Sequence, residues 1–486
     1  MVAFNRRKFL AAGAAAGAAV LTGGVPGAAA EAEIDFEGLR RAMTGQLVRP
    51  GEAGYEAAAR PWNLALPQRR PAAVAKVANR ADVIACVQRA GGRGVPLVAR
   101  SGGHSYAGYS TPDEGVVVDV SALNTVQVRA DGTAVIGSGA RLIDVYSALA
   151  ASGRALPGGT CSTVGIAGLT LGGGIGVFTR PFGLTCDHLQ AATVVTADGA
   201  THTVTGNRDA DLLWALRGGG GGHAGIVTDF TFTTVPAPRP VTLELAFPAE
   251  RTATVLAAWH AWQHSAPDGL TTVCSIGGGA APNNRISGTW LGTVAALEAR
   301  IGELVVAVGA NPTTRQVVER DYLAAMRHYA GCEAGSIQSC QLEPVGSVPR
   351  ESFRAGSRML TQPVTPTSAE RILAAVRPQR DLVLLFDALG GRAGRVGAAD
   401  TAYPHRNAFA SVQVYSWNGA NGPGVTQVQQ ALAPVVGNGS YVNYVNPEQT
   451  DWAGSYWGAN RARLRGTVAS YDPNGVFDFP HSVLRA

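Results

Sequence analysis

Glycine runs constrain this chain more than any other feature of its sequence. The 486 residues include 62 glycines, and many stand together, at residues 172–174 and 218–222, without the three-residue period of collagen. A backbone that lacks Cβ atoms can approach a bound molecule closely. The segments that carry these runs are therefore the first candidates for contact with a ligand.

The segments between the glycine runs predict a mixture of helices and strands. Apolar stretches predict strands at residues 73–77, 95–100 and 116–120, with a helix over residues 80–91 between the first two. The other predicted elements of this half are Asp-Gly hairpins over 125–137 and 193–204, helices over 141–152 and 210–217, a glycine-rich loop region over 157–176 and a strand over 225–233.

The length of the chain exceeds what a single hydrophobic core usually serves, so we expect two lobes. The proline-rich segment 235–240 is typical of an extended linker. Strands and helices alternate beyond it, and an aromatic, polar tail begins near residue 441. We therefore divide the chain into residues 1–30, 31–235, 236–430 and 431–486, and expect the last segment to return to the first lobe.

Residues 1–30 have the features of a twin-arginine signal peptide. Arg6 and Arg7 precede an Ala/Gly-rich apolar stretch without acidic residues, and Ala28, Ala29 and Ala30 offer a small-residue cleavage site. A membrane anchor is disfavoured, because the stretch is rich in small residues and contains a proline. This route carries folded proteins, so the segment predicts a secreted or extracytoplasmic cofactor enzyme with no membrane span in the mature chain.

Composition argues against several classes of function. Three of the basic residues behind the net charge of +5 lie in the signal segment, so the charge does not indicate nucleic-acid binding. Lys76 is the single lysine beyond that segment, which disfavours pyridoxal and Schiff-base chemistry and a Walker lysine. The sequence has neither an HExxH motif nor a CxxC pair, and no metal site is predicted.

The six cysteines are too few for a disulfide scaffold. Cys332 and Cys340 lie close together in a loop-like segment, and this spacing is compatible with a disulfide and equally with two free thiols. Cys86 lies in a predicted helix among apolar neighbours and is expected in the core.

Two apparent motifs need to be set aside. Residues 220–225 fit G-x-G-x-x-G, but a predicted helix precedes them and a strand follows, the reverse of a dinucleotide-binding turn. Residues 103–107 resemble the nucleophile elbow of serine hydrolases, but Ala107 stands where that motif has glycine. A serine hydrolase stays a minor alternative.

Two glycine-rich segments carry reactive side chains. Residues 100–106 follow a predicted strand and read R-S-G-G-H-S-Y, so their amide groups can form a nest for a pyrophosphate around His104. Residues 158–168 read G-G-T-C-S-T-V-G-I-A-G, where Cys161 has few side chains to pack against. A loop cysteine of this kind indicates reactivity rather than structure. Taken alone, His104 could be an ordinary polar loop residue.

Together these segments resemble the berberine-bridge-enzyme-like branch of the vanillyl-alcohol-oxidase/para-cresol-methylhydroxylase flavoproteins. The resemblance runs through most of the chain beyond the signal segment, in the same order. It continues in D-L-L-W-A-L-R-G-G-G-G-G at 211–222, T-A-Y-P-H-R at 401–406, Y-V-N-Y at 441–444, Y-W-G-A-N at 456–460 and Y-D-P at 471–473.

The resemblance implies an α+β fold, with a PCMH-type FAD-binding lobe of two subdomains and a substrate lobe whose antiparallel sheet is flanked by helices. In this family the histidine bonds the 8α carbon of the flavin and the cysteine bonds C6, which implies FAD tethered through both His104 and Cys161. The implied cofactor-binding residues are His104, Cys161, Arg100, Ser101, Gly102, Gly103, Ser105, Thr160, Val164, Gly165, Gly168, Gly225, Ile226, Val227, Asn443 and Tyr444.

The catalytic residues of the family are matched only in part. Tyr444 matches the tyrosine that acts as base or proton acceptor, Tyr106 matches a further active-site tyrosine, and Gln413 matches the glutamine of a K-x-Q strand. The lysine of that strand is replaced by Ser411, and Ile175 stands where many members have tyrosine. A phenol with a pKa near ~10 needs a partner to accept a proton at neutral pH. Alternatively, the tyrosines only stack on the flavin.

The resemblance implies oxidation of an alcohol on a small molecule, with hydride transfer to FAD and O2 reduced to H2O2. A sugar or oligosaccharide is the favoured substrate because the protein is expected to be exported. Val164, three residues after Cys161, matches the valine that accompanies oxidases, whereas leucine accompanies dehydrogenases. The alternatives are a tailoring oxidase of secondary metabolites, a drug-binding resistance protein that does not oxidise its ligand, and an FAD dehydrogenase.

Overall fold

Parallel strands rich in valine form the centre of the first sheet. The computed structural model of the protein describes residues 34–417 and 419–486. The sheet has the order β1-β2-β4-β3, in which β2, β4 and β3 are parallel and β1 is an antiparallel edge. Its elements are α1 Phe36–Ala42, β1 Gln46–Val48, α2 Tyr55–Ala59, β2 Ala73–Lys76, α3 Arg80–Ala90, β3 Leu97–Arg100 and β4 Val116–Asp119.

Every residue of β4 is buried, as expected of a parallel strand covered on both faces. Helix α3 begins after Asn79, whose side chain accepts a hydrogen bond from the Asp82 amide. Cys86 lies on this helix with no exposed surface, within the core, as predicted.

A second sheet is fully antiparallel, with the order β5-β6-β10-β8-β9. Both predicted hairpins are present in it, and the long central strand β10 pairs with β6 and β8. The elements are β5 Val126–Val128, β6 Thr133–Gly137, α4 Leu142–Ala151, β7 Arg154–Ala155, α5 Ile166–Gly172, α6 Thr179–Phe182, β8 Leu189–Val195, β9 Thr201–Thr205, α7 Ala210–Leu216, β10 Ile226–Thr233 and β11 Val235–Pro236.

The segment 157–176 is not only a loop, because it contains helix α5. Ile166 and Leu171 are buried in the core beneath the second sheet, and this packing outweighs the low helix preference of the surrounding glycines. The start of the expected linker is also ordered, since β11 pairs with β7.

The third sheet has seven antiparallel strands in the order β15-β12-β14-β13-β17-β18-β16. Its elements are β12 Val241–Ala246, α8 Thr252–His264, β13 Leu270–Gly277, β14 Asn284–Trp290, α9 Val294–Val308, β15 Thr314–Glu319, α10 Tyr322–Tyr329, β16 Arg354–Leu360, α11 Pro366–Val376, β17 Leu382–Ala388, α12 Gly391–Gly394, β18 Ala410–Ser416 and α13 Gly422–Val436.

The two faces of this third sheet have different surroundings. Side chains such as Leu384, Phe386 and Val412 pack with residues of α8, α9, α11 and α13 in one large core. Because successive residues of a strand point to opposite faces, Leu385, Asp387 and Gln413 face away from those helices. These three residues line the cavity described below.

The tail contains α14 Trp452–Trp457 and α15 Arg461–Tyr471. Trp457 and Leu464 lie in the same core as Leu212 and Trp214 of α7. The described residues from Ile34 onward form one compact unit. The α+β fold class is confirmed, while the boundaries between lobes stay a prediction and the signal segment lies outside the described residues.

A disulfide joins Cys332 and Cys340, which answers the question left open by their spacing. Within the described residues no helix is long and apolar enough to cross a membrane. The same part of the chain has no cluster of acidic, histidine and cysteine side chains that could hold a metal ion.

Candidate active site and cofactor cavity

A cavity of about 690 Å³ lies between the glycine-rich segments and the helix-free face of the seven-stranded sheet. The C-terminal segment 441–445 completes its wall. Predicted site residues that line this cavity are Ser101, Gly102, Gly103, His104, Ser105, Tyr106, Thr160, Cys161, Val164, Gly165, Gly168, Gly225, Val227, Gln413, Asn443 and Tyr444.

Two predicted residues lie elsewhere. The guanidinium group of Arg100 is buried in an ion pair with Asp119, at 2.7 Å, and also donates to the carbonyl of Ala58. Ile226 begins β10 with its side chain in the core of the first sheet. Both positions flank cavity segments, but their side chains hold the scaffold instead of facing the ligand.

The two glycine-rich segments touch each other directly. A Cβ atom on Gly102 would lie 2.3 Å from the amide nitrogen of Gly165, so only glycine allows this approach. Arg141 joins the segments as well, because its Nη1 donates to the carbonyl oxygens of Gly102, at 2.9 Å, and Thr163, at 2.7 Å. Sequence reasoning missed Arg141, which stands outside both motifs.

Thr163 brings the two predicted tethers together. The Nε2 atom of His104 lies 2.9 Å from the Thr163 hydroxyl, and the Cys161 sulfur lies 3.7 Å from the same oxygen. Trp62 stacks on the His104 ring at a centroid distance of 4.1 Å. These contacts fix the imidazole and leave its Nδ1 atom without a hydrogen bond to the described residues.

Burial governs the protonation of both tethers. Desolvation lowers the pKa of His104 well below its usual value, and the charge of Arg141 adds to this effect. The imidazole is therefore neutral and nucleophilic at pH 7. For Cys161 desolvation acts in the other direction and raises the pKa of the thiol, and hydrogen bonding to Thr163 partly offsets this increase.

Stacked phenols face the sheet side of the cavity. The rings of Tyr106 and Tyr444 are nearly parallel, with centroids 5.3 Å apart, and Gln413 Nε2 donates to the Tyr106 oxygen at 2.7 Å. Burial raises the pKa of both phenols, and the Asp387 carboxylate contributes to the increase for each. Neither tyrosine can therefore act as a free phenolate at neutral pH.

Asp387 is a second candidate site residue, besides Arg141, that the sequence reasoning missed. It lies on β17, lines the cavity, and its Oδ2 atom is buried without a hydrogen-bond partner among the described residues. Desolvation raises the pKa of this carboxyl to about 7. The signal was a single acidic residue in the otherwise apolar strand L-V-L-L-F-D-A.

Asn443 anchors the C-terminal wall of the cavity. Its Nδ2 donates to the hydroxyl oxygen of Tyr441 and to the carbonyl of Leu169 on α5. The same Tyr441 oxygen accepts from the amide of Gly174, in a glycine run that the sequence analysis singled out. The run therefore shapes the wall that presents Tyr444.

The cavity fits a large flat cofactor. A Cβ atom on Gly168 would meet no atom within 4 Å, so the wall is open there, and Gly220, Gly221 and Gly222 line it as well. The imidazole of His104, the free thiol of Cys161 and the carboxyl of Asp387 line this space. The donor set suits a flavin bonded at one edge and does not suit a metal ion.

Two family models match the chain, an FAD-binding domain over residues 71–205 and the "Berberine and berberine like" family over residues 440–484. An uncharacterized FAD-linked oxidoreductase of Bacillus subtilis (strain 168) is 32% identical, over 91% of this chain and 97% of its own. Glucooligosaccharide oxidase of Sarocladium strictum is 31% identical, over 84% and 86%.

Solved structures of FAD-linked oxidases have a similar fold. A glucooligosaccharide oxidase from Acremonium strictum, described as having 6-S-cysteinyl, 8α-N1-histidyl FAD, has a TM-score of 0.84 at 26% identity, covering 93% of this chain and 99% of that one. Fold and site thus define an FAD-dependent oxidoreductase. The chain belongs to the berberine-bridge-enzyme-like family of FAD-linked oxidoreductases.

Proposed function

We propose that this protein is a carbohydrate oxidase that holds FAD through two covalent bonds, from His104 and from Cys161. The shared contact of both side chains with Thr163 supports two tethers at one edge of the flavin. Because Thr163 binds Nε2 of His104, Nδ1 is the nitrogen available for the bond. The histidyl and cysteinyl linkage of the related glucooligosaccharide oxidase supports the same assignment.

The covalent linkage predicts that flavin stays with the denatured protein. Protease digestion should release one flavin that bridges a peptide containing His104 and a peptide containing Cys161, as measured by mass spectrometry. His104→Ala and Cys161→Ala should each retain flavin through the other bond, and the double variant should lose it on denaturation. Release of flavin from denatured wild-type protein would contradict the assignment.

The observation that carries the proposed chemistry is the position of the Asp387 carboxyl in the same cavity wall as Tyr444. Burial there raises the pKa of Asp387 to about 7, and its charge contributes to the raised pKa of Tyr444. FAD held by His104 and Cys161 would supply the hydride acceptor, and its reoxidation by O2 would give H2O2. Tyr444 takes the proton of the substrate hydroxyl while its own phenolic proton moves to Asp387. Asp387 thus replaces the missing lysine as the group that activates the tyrosine. Gln413 holds Tyr106 against Tyr444.

This proton transfer predicts a pH dependence with a definite sign. Asp387 must be ionised to accept a proton, so anaerobic flavin reduction should accelerate as the pH rises through about 7. Asp387→Asn and Tyr444→Phe should each slow reduction by about 10²-fold or more, with flavin content unchanged, and Asp387→Asn should abolish the pH step. Tyr471→Phe, which removes a phenol bonded to Asp209 outside the cavity, should leave the rate unchanged. Flavin loss in step with activity would indicate a structural role.

A sugar substrate is supported by the glucooligosaccharide oxidase relative and by the lining of the cavity. Arg285, Ser287 and Glu351 can bond sugar hydroxyls, while Tyr415 and Trp417 can cover the apolar face of a sugar ring. Oxidation at the anomeric carbon removes the proton of the hydroxyl at that carbon, and Tyr444 is the group proposed above to accept it. The twin-arginine motif supports a role outside the cytoplasm.

A screen for H2O2 release tests the substrate class. The panel should contain oligosaccharides of glucose, N-acetylglucosamine and xylose, with the corresponding sugar alcohols, which lack an anomeric hydroxyl, as matched controls. We expect H2O2 in equal amount to oxidised product with at least one oligosaccharide and none with its alcohol. Activity confined to non-sugar alcohols would contradict the proposal and favour a tailoring oxidase.

Val164 predicts rapid reaction of the reduced protein with oxygen. It lines the cavity in the same segment as Cys161. O2 needs a small apolar space beside the flavin, and one added methylene can fill such a space. Val164→Leu should slow reoxidation while anaerobic reduction stays nearly intact, as measured by stopped-flow mixing. Slow reoxidation of the wild-type protein would instead identify a dehydrogenase.

A further inference from the structure

Asp387 belongs to a row of side chains that crosses the seven-stranded sheet. Strand pairing places Ser411 of β18 directly opposite Asp387 of β17, and Met359 of β16 directly opposite Ser411. Directly opposite residues in antiparallel strands share a face, with Cβ atoms about 5 Å apart. Ser411 therefore lies beside Asp387, on the face directed away from the helices.

Both polar members of this row are unsatisfied. Ser411 has no exposed surface, and its Oγ atom, like Asp387 Oδ2, has no hydrogen-bond partner among the described residues. The hydroxyl of Tyr403, which packs with Met359 and Tyr444, is a third buried oxygen in the same condition. Leaving such groups unpaired is unfavourable, so native interiors usually pair them with one another or with water.

Among residues 34–417 and 419–486, the cationic side chains of the elements nearest Asp387 are bonded to other groups. The phenols of Tyr444 and Tyr106 face it, with Tyr441 and Tyr403 farther back, and burial raises the pKa of all four. Two arginines of the surrounding segments are engaged elsewhere: Arg180 donates to three backbone carbonyls, and Arg406 is paired with Asp187. The opposing residue on β13 is Val273.

We propose that Ser411 and Asp387 together bind one internal water molecule, and that this site holds the carboxylate ready to receive the proton of Tyr444. The inference rests on the proposed function. One proton leaves the substrate hydroxyl for the Tyr444 oxygen as one proton leaves that oxygen for Asp387, so charge and atoms balance. Ser411 does not touch the reacting atoms: its hydroxyl donates to the water, which donates to the carboxylate. Ser411 is a positioning residue that stabilises the ionised form of Asp387.

The test is the pH profile of anaerobic flavin reduction in the holoenzyme by an oligosaccharide that the enzyme oxidises. Ser411→Ala removes the donor, so the midpoint of the profile should move upward by about one pH unit, which is about a tenfold change in the ionisation constant. The rate should fall at pH 6 and approach that of the wild type at pH 9. Ser411→Thr should restore the midpoint, and Ser411→Cys, a weaker donor of similar size, should give an intermediate value.

Ser416→Ala is the matched control. It makes the same substitution on the same strand and removes a hydroxyl bonded to the carboxylate of Asp381, on the opposite face. Its midpoint should equal that of the wild type. If the midpoint of Ser411→Ala is unchanged and its flavin content is full, the inference about Ser411 is overturned. The proposed function still stands in that case, provided that Asp387→Asn abolishes the pH step. A pH step that persists in Asp387→Asn would overturn the proton acceptor itself, and the inference with it.

Discussion

The close contact between two glycine-rich segments is the constraint on which the rest of the site depends. Gly102 and Gly165 approach so closely that a Cβ atom on either would clash with the other segment, and Arg141 bonds a carbonyl from each side. This contact brings His104 and Cys161 to the same hydroxyl of Thr163. The positions of both side chains therefore depend on a backbone contact that only glycine permits.

Desolvation is the second constraint, because it sets the protonation states of the side chains in the cavity. The same enclosed space keeps His104 neutral, holds Tyr106 and Tyr444 as phenols and raises the pKa of Asp387 to about 7. Burial makes the Asp387 carboxylate a stronger base than an exposed aspartate, which suits the proposed transfer of the Tyr444 proton to it. The proposed proton transfer therefore does not need a lysine at position 411, because the proton of Tyr444 moves to Asp387.

Much of the fold and of the candidate site was predictable from sequence, and the exceptions have physical reasons. His104, Cys161 and Tyr444 were identified through motifs that resemble those of a known family, and all three line the cavity. The Asp-Gly hairpins follow from turn chemistry. Helix α5 was missed because buried contacts of Ile166 and Leu171, not propensity, stabilise it. Asp387 was missed because the phenols on which its charge acts, Tyr106 and Tyr444, lie far from it in the sequence, and only the tertiary fold brings them near β17.

Our proposal is that carbohydrate oxidation in the cavity combines proton transfer to Tyr444 and Asp387 with hydride transfer to bound FAD. Its most direct test is the absorption spectrum of the flavin after anaerobic mixing with an oligosaccharide. We expect the oxidised flavin band to bleach completely, in a single turnover, with one equivalent of oxidised sugar formed. A spectrum that shifts on binding but does not bleach with any sugar or alcohol would contradict the account and identify a binding protein.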